Sequence, residues 1–233
     1  VKQTAPYAAA FKPNAAFFEV FGAEGWTALK QVIEAIGEES ARMGSMIPVI
    51  LDAQRGDIAS TAEAYAQSAF ETLGVHCITL NPYLGHDSIE PFIQNPEKGV
   101  FLLCKTSNAG SMDLQNLLVL PPAAENPGPL YIYVAHLAAQ WNINNNVGIV
   151  VGATHPQIMS NIRAAAPHLW FLAPGVGTQG GQLESTLKSG LRKDGKGLLI
   201  PISRSISRAE NPAETVAEIR DQIVNIKREM KKA

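Results

Sequence analysis

Short apolar runs alternate along the chain with longer segments in which apolar residues recur every three or four positions. Runs of the first kind are typical of buried parallel strands, and segments of the second kind predict amphipathic helices. The predicted strands are 7–12, 47–53, 76–80, 99–104, 147–151, 169–173 and 197–201. The predicted helices are 23–41, 61–73, 130–141, 156–165, 181–191 and 212–232. This alternation predicts a mainly parallel sheet and an α/β fold class.

The number of strand-helix units favours a (β/α)8 barrel, the TIM barrel, over a doubly wound sheet, because the chain shows no dinucleotide-binding fingerprint. Only seven strands are visible, and residues 1–5 resemble the tail of a helix. A barrel that lacks one strand would expose two sheet edges. We therefore expect that the first βα unit lies upstream in the natural protein or is supplied by another chain. An open seven-stranded sheet is the alternative.

Composition narrows the function classes. The 233 residues are 46% hydrophobic, which suits one domain over 1–233 with a large core. A net charge of −2 argues against nucleic acid as a partner. No apolar segment approaches the ~18 residues of a membrane span, and no signal peptide is visible, so we expect a cytoplasmic protein.

Cys77 and Cys104 show no CxxC spacing and are expected to be buried thiols. The scattered histidines predict no metal site.

Charged residues follow the second predicted strand directly. Asp52 and Asp57 lie at the carboxyl end of that strand, the edge where α/β folds bind ligands. Lys12 ends the first predicted strand, so it should project from the same edge, close enough to pair with Asp52. Two plainer interpretations stay open. Asp57 could cap the next helix, and Lys12 could simply neutralise Asp52.

Three further loops lie at predicted strand ends. The glycine-rich loop 174–181 and the loop 201–205, which contains Arg204, follow the last two strands, where barrels commonly bind phosphate. Ordinary turns are the alternative for each loop taken alone. The segment Thr106-Ser107-Asn108 follows another strand and could either bond a polar ring or cap a helix.

These segments occur in a familiar order and spacing. Lys12-Pro13-Asn14, the segment 51–58 with the two aspartates of an Asp-x-Lys-x-x-Asp frame, Thr106-Ser107-Asn108, loop 174–181 and Ser203-Arg204 resemble those of orotidine 5'-phosphate decarboxylases. The similarity is greatest to the branch that carries LDAKRGDI, some members of which are fused to orotate phosphoribosyltransferase. The resemblance implies a homodimeric (β/α)8 barrel of pyrimidine biosynthesis that converts orotidine 5'-monophosphate to uridine 5'-monophosphate without metal or cofactor.

The resemblance also implies residue roles. Lys12, Asp52 and Asp57 would belong to a charge array at the reacting carbon, and Asp57 and Thr61 would reach into the partner subunit's site. The remaining implied contacts are with substrate: Asn14 near the ribose or the charge array, Ser107 at the pyrimidine amide edge, Pro174 beside the ligand, and Gln179 and Arg204 at the phosphate. The Gly-Leu-Asp segment of the family's first strand has no counterpart here.

One position departs from the family. The lysine between the two aspartates, which the family uses as stabilising cation and proton donor, is Gln54 here. A neutral amide can do neither, so the sequence predicts severely impaired catalysis and suggests a deliberate inactivating change. Strand alternation argues against Arg55 as a substitute. A nucleotide-binding pseudoenzyme and a metal-dependent sugar-phosphate barrel are the competing functions.

Overall fold

The structure is a computed structural model that describes residues 1–122, 125–177 and 180–232. The chain forms two compact units, one of Val1–Val100 with Arg208–Arg220 and one of Phe101–Ser207 with Asp221–Ala233. Within the described residues, every helix is too short or too polar to cross a membrane. The single domain predicted over 1–233 stays a prediction.

The first unit begins with a 3-10 helix and two α-helices. Its elements are the 3-10 helix Ala5–Tyr7, α1 (Ala16–Glu19), α2 (Gly22–Met43), β1 (Ile50–Arg55), α3 (Ala59–Gln67), a π-helical turn Ser68–Thr72, β2 (Cys77–Leu80), the 3-10 helices Pro82–Leu84 and His86–Ser88, and α4 (Glu90–Ile93). Apolar residues of α2 recur at helical spacing and bury one face, including Leu29, Ile33 and Ile36. The helix ends at Met43 and is followed by Gly44, whose φ of 63° suits a glycine.

Strand β1 has parallel neighbours on both sides within this unit. Ile50 pairs with Cys77 of β2. On the other side, Phe11 and Asn14 form isolated parallel bridges to Val49 and Asp52. The predicted strand 7–12 is therefore reduced to one bridge, at Phe11, and the second bridge, at Asn14, lies beyond it. A continuous ladder is interrupted because Pro13 has no amide hydrogen to donate.

The second unit contains the remaining strands. Its elements are β3 (Gly99–Lys105), which begins in the first unit, α5 (Ser111–Leu114), β4 (Leu118–Val119), β5 (Gly128–Pro129), α6 (Leu130–Trp141), β6 (Val147–Val151), α7 (Pro156–Ala165), β7 (Trp170–Leu172), α8 (Leu183–Gly190), β8 (Leu198–Leu199), α9 (Arg204–Ser207) and α10 (Pro212–Met230), which has residues in both units. β7 pairs in parallel with β6 and β8, whereas β4 and β5 pair antiparallel.

The parallel α/β pattern predicted from the sequence is confirmed, and α6, β6 and α7 begin and end at the predicted residues. All five residues of β6 are buried, which explains its uninterrupted apolar run. The last predicted strand, 197–201, is only two residues long. Arg204 does not lie in a loop but begins α9.

Arg163 at the end of α7 joins several elements of the second unit. Its guanidinium lies over the Phe171 ring, 3.5 Å from the ring centroid. It donates five hydrogen bonds to four main-chain carbonyls, those of Ala166, Leu169, Gly190 and Gly197. Burial lowers the pKa of Arg163 to about 10. This side chain therefore connects α7 to the end of α8 and the start of β8.

Candidate active site

An ion pair lies at the end of β1. The segment beside β1 is held by main-chain hydrogen bonds from Asp52 N to Pro13 O, 2.9 Å, and from Ala15 N to Asp52 O, 3.0 Å. This pairing brings the Lys12 ammonium against Oδ2 of Asp52. The two side chains are 19% and 16% exposed, so the pair is partly withdrawn from water but still reachable by a ligand. The structure thus brings together the two charges that the strand-end argument places side by side.

The other oxygen of Asp52 is held by a residue that the sequence analysis missed. The Thr79 hydroxyl donates to Oδ1 of Asp52 at 3.1 Å. It also accepts hydrogen bonds from the main-chain amides of Ala53, at 3.0 Å, and Gln54, at 2.9 Å. Thr79 is only 2% exposed. The available signal was a hydroxyl residue inside the apolar strand Cys77–Leu80.

β1 carries an irregularity where the charged residues lie. β1 advances four residues from Leu51 to Arg55 while β2 advances two from Ile78 to Leu80. Gln54 has a φ of 48°, in the left-handed region that residues other than glycine seldom adopt. Side chains between Leu51 and Arg55 therefore do not follow simple strand alternation. The Gln54 side chain is exposed.

Arg55 is engaged elsewhere. Its guanidinium forms an ion pair with Glu19 of α1 and lies over the Tyr65 ring, 5.0 Å from the ring centroid. Strand alternation does not hold in this part of β1. The expectation that Arg55 does not replace a cation at position 54 therefore rests on its ion pair with Glu19. Its charge is already paired with Glu19, a contact that the sequence pattern did not indicate.

The other predicted site residues of the first unit are Asp57, Thr61 and Asn14. Asp57 is half-buried, and its Oδ1 accepts from the amide of Ile58 at 2.8 Å. No side chain caps the start of α3, so the helix-cap interpretation of Asp57 does not hold. Thr61 lies exposed in the first turn of α3. Asn14 Oδ1 accepts from the amide of Ala16 at 3.0 Å, at the start of α1.

In the second unit, Ser107 packs against a glycine. The amide of Gly152 donates to Lys105 O at 2.7 Å, which ties the end of β6 to the end of β3. A Cβ built on Gly152 would lie 2.9 Å from Ser107 N and 3.0 Å from its Cα and Cβ. Only a glycine at 152 therefore allows the Ser107 main chain to lie where it does.

The loop after β3 is held on both sides of Ser107. The Lys105 ammonium is buried and donates to Ser111 Oγ at 2.7 Å, and burial lowers the pKa of Lys105. Gln115 Oε1 accepts from the amide of Thr106 at 2.9 Å. Helix α5 begins without a side-chain cap, so the segment 106–108 does not serve as a helix cap. This loop is fixed at its ends and can present polar groups to a ligand.

The two loops predicted to bind phosphate differ from the prediction, because the glycine amides bond within their own loop and Arg204 lies in a helix. Pro174 O accepts from the amide of Ala153 at 2.8 Å, which places the glycine-rich loop at the end of β7 beside the end of β6. The amides of Gly177, Gly180 and Gly181 donate to carbonyls of their own loop. An anion at this loop would need other donors. Gln179 lies outside the described residues, and Arg204 is exposed at the first position of α9.

The two cysteine thiols are poor nucleophiles here. Burial raises the pKa of Cys77 to about 11, and burial also raises the pKa of Cys104 far above its usual range. Cys104 Sγ donates to Tyr131 O at 3.1 Å. Within 1–122, 125–177 and 180–232, no three His, Cys, Asp or Glu side chains gather as metal ligands would. The charge pair at β1 is therefore the chemically distinctive feature of the described residues.

Comparison with known proteins gives consistent matches over most of the chain. A family model described as Orotidine 5'-phosphate decarboxylase / HUMPS family matches residues 1–219. The orotidine 5'-phosphate decarboxylase of Roseiflexus castenholzii is 48% identical over 212 residues, covering 91% of this chain and 73% of that relative. The one from Herpetosiphon aurantiacus is 47% identical over 207 residues, covering 88% of this chain and 72% of that relative.

Solved structures are similar as well. Leishmania donovani OMP decarboxylase matches with a TM-score of 0.86 and 51% identity over 97% of this chain and 84% of that one. Leishmania donovani UMP synthase matches with a TM-score of 0.89 and 53% identity over 97% of this chain. The chain spans about half of that protein, 48% of its length. These likenesses confirm the TIM barrel fold class predicted from the sequence.

Proposed function

Since the chain belongs to the orotidine 5'-phosphate decarboxylase / HUMPS family, we propose that its site is built for the decarboxylation of orotidine 5'-monophosphate to uridine 5'-monophosphate in pyrimidine biosynthesis. The observation that carries the proposal is the Lys12–Asp52 pair on β1, the strand that also contains position 54. The proposed reaction uses neither a metal nor a cofactor.

The chemistry explains why charged side chains are needed. Loss of carbon dioxide from C6 of the pyrimidine leaves an electron pair in an orbital that no adjacent carbonyl can delocalise. An ammonium group beside C6 stabilises this pair by Coulomb attraction and can then donate a proton to the carbon. The Lys12 ammonium is already paired with Asp52. We propose that a second cation is required at position 54, within the array completed by Asp57.

Gln54 therefore disables the proposed reaction in this chain. Its amide carries no charge and is far too weak an acid to protonate carbon. Arg55 is paired with Glu19, which supports the proposal that it does not act in place of the missing ammonium. Loss of a positioned general acid lowers rates by about 10²–10⁴, and loss of the charge lowers them further.

The proposal is tested by restoring the ammonium. Gln54→Lys should raise kcat for loss of orotidine 5'-monophosphate absorbance by at least about 10²-fold, because it supplies both charge and proton. Gln67→Lys, which adds the same charge on the exposed surface of α3, is the matched control and should leave the rate unchanged. Equal rates for the Gln54→Lys variant and the present chain would refute the account of the missing acid.

Substrate binding is proposed to be independent of position 54. By the family resemblance, the residues that hold the nucleotide are Asn14, Ser107, Pro174, Gln179 and Arg204. Arg204→Ala should weaken uridine 5'-monophosphate binding in calorimetry by about tenfold or more, because a charge-assisted contact to phosphate is lost. Arg208→Ala removes a nearby exposed arginine as control. Unchanged affinity in Arg204→Ala would contradict the phosphate assignment.

We also propose a homodimer in which Asp57 and Thr61 reach the partner subunit's site. The apolar side chains of Ile58 and Leu84, 53% and 46% exposed, support a contact surface in the first unit. Light scattering should give twice the monomer mass. In the Gln54→Lys background, mixing inactive Lys12→Ala and Asp57→Ala variants should recover part of the activity. Absence of any recovery after verified subunit exchange would contradict the shared site.

A nucleotide-binding pseudoenzyme is the second candidate. The observation that favours it is the neutral residue at 54 together with the engaged Arg55. Uridine 5'-monophosphate would then bind without turnover, even after Gln54→Lys.

The wider context of the chain is also a proposal. The likeness to a UMP synthase, of which this chain covers 48%, supports a fused orotate phosphoribosyltransferase domain in the longer protein. The free thiols of Cys77, which is half-buried, and Cys104, which is buried, support a cytoplasmic location. Sequencing the source gene and fractionating the source cells test these two points.

A further inference from the structure

The Thr79 hydroxyl uses all of its hydrogen-bonding positions. A threonine hydroxyl has one proton and two acceptor lone pairs. Both acceptor positions are filled by the amides of Ala53 and Gln54, at 3.0 and 2.9 Å. The single proton must then go to Oδ1 of Asp52, 3.1 Å away. With the Lys12 ammonium on Oδ2, the plane of the Asp52 carboxylate is fixed from both sides.

The same hydroxyl supports the backbone at position 54. In a regular parallel ladder the amides of Ala53 and Gln54 would point to opposite edges of β1. The irregularity between Leu51 and Arg55 turns both towards one oxygen. The left-handed φ of 48° at Gln54 is a conformation that persists only where the surroundings hold it. Here the hydrogen bonds from the amides of Ala53 and Gln54 to the Thr79 hydroxyl hold it.

We infer that Thr79 is a positioning residue that sets, with one hydroxyl, both the orientation of the Asp52 carboxylate and the direction in which the side chain of residue 54 projects. The inference rests on the proposed function, in which Asp52 and a lysine at 54 act at the same carbon. Thr79 itself touches neither substrate nor reacting atoms in this role. Because Thr79 lies in a buried strand, it would hold the distance between the Asp52 carboxylate and a lysine at position 54 constant.

The geometric part is tested on the protein as it exists. Thr79→Val keeps the shape of the side chain but removes the hydroxyl, so the amides of Ala53 and Gln54 lose their acceptor. Their hydrogen exchange, measured by NMR, should accelerate at least about tenfold relative to the other β1 amides. Thr79→Ser keeps the hydroxyl and should preserve protection. Unchanged protection of both amides in Thr79→Val would overturn the inference. Should Thr79→Val fail to fold, Thr79→Ala provides the same measurement.

The functional part uses the Gln54→Lys background. There, Thr79→Val should lower kcat by about tenfold to a hundredfold, because misplacement by up to 1 Å has effects of that size. The KM for orotidine 5'-monophosphate should change little, and Thr79→Ser should restore most of kcat. The control is Thr186→Val, which removes another fully buried hydroxyl, one that donates to the carbonyl of Gln182 just before its own helix.

The outcomes separate the two claims. A purely structural role for Thr79 would lower the melting temperature without a selective loss of kcat, and that result would overturn the inference. An inactive Gln54→Lys protein would refute the proposed function instead. In that case the amide exchange of Ala53 and Gln54 still decides whether Thr79 holds the backbone.

Discussion

Replacing Gly152 by alanine would introduce a methyl group where the Ser107 main chain already lies. The added Cβ would approach Ser107 N to 2.9 Å and its Cα and Cβ to 3.0 Å. Carbon atoms pack best at about 3.5–4.0 Å, so the Ser107 loop or the end of β6 must move by roughly 0.5–1 Å. Lys105 and Gln115 fix that loop near its ends, so the shift cannot spread easily along it.

Two opposing effects determine the size of the stability change. Overpacking of this kind destabilises by about 1–3 kcal/mol. Alanine also restricts the unfolded chain, which offsets up to about 1 kcal/mol of that. We expect a net loss of about 1–2 kcal/mol in the free energy of unfolding, or a melting temperature lower by roughly 2–8 °C for a chain of this size. If Ser107 contacts the pyrimidine, uridine 5'-monophosphate should bind about tenfold to a hundredfold more weakly.

Calorimetry of uridine 5'-monophosphate binding and thermal unfolding measure these two effects on one sample. Gly37→Ala is the matched control, because a Cβ at this exposed position of α2 would meet nothing within 4 Å. It should raise the free energy of unfolding by about 0.5–1 kcal/mol and leave nucleotide binding unchanged. Wild-type affinity in Gly152→Ala would show that the position of Ser107 is irrelevant to the ligand.

Two further predictions concern stability. Arg163→Met should lower the free energy of unfolding in urea by about 3–5 kcal/mol, because five hydrogen bonds and the contact with Phe171 are lost. Arg192→Met, which removes hydrogen bonds that lie at the exposed surface, should change it by less than about 1 kcal/mol, and equal effects would contradict this ranking. His76 Nδ1 accepts from Val49 N at 3.1 Å, and burial lowers the pKa of His76 from 6.5. The contribution of neutral His76 to the free energy of unfolding should be fully present above pH 6.5 and be lost as pH falls through the lower folded pKa. In His76→Asn, the free energy of unfolding measured in urea should therefore depend less on pH between pH 7.5 and 5.

The sequence by itself determined the α/β class and the bounds of α6, β6 and α7, because burial of one face imposes a period that the residues display. It also determined that Lys12 and Asp52 meet. Parallel neighbouring strands end at the same edge, so two charges at such ends must lie close together whatever the details of packing. The resemblance in motif order further identified Gln54 as the position that departs from the family.

Only the tertiary structure decided how these charges are held. Thr79 lies 27 residues from Asp52, and Glu19 lies 36 residues from the Arg55 it pairs with. No local pattern reports such partners, because they depend on the register between elements. The irregularity in β1 likewise arises from how β1 and β2 are aligned, and it cancels the alternation on which a sequence argument relies. Periodicity determines which face of an element is buried, whereas hydrogen-bond partners are set by the three-dimensional alignment of distant segments.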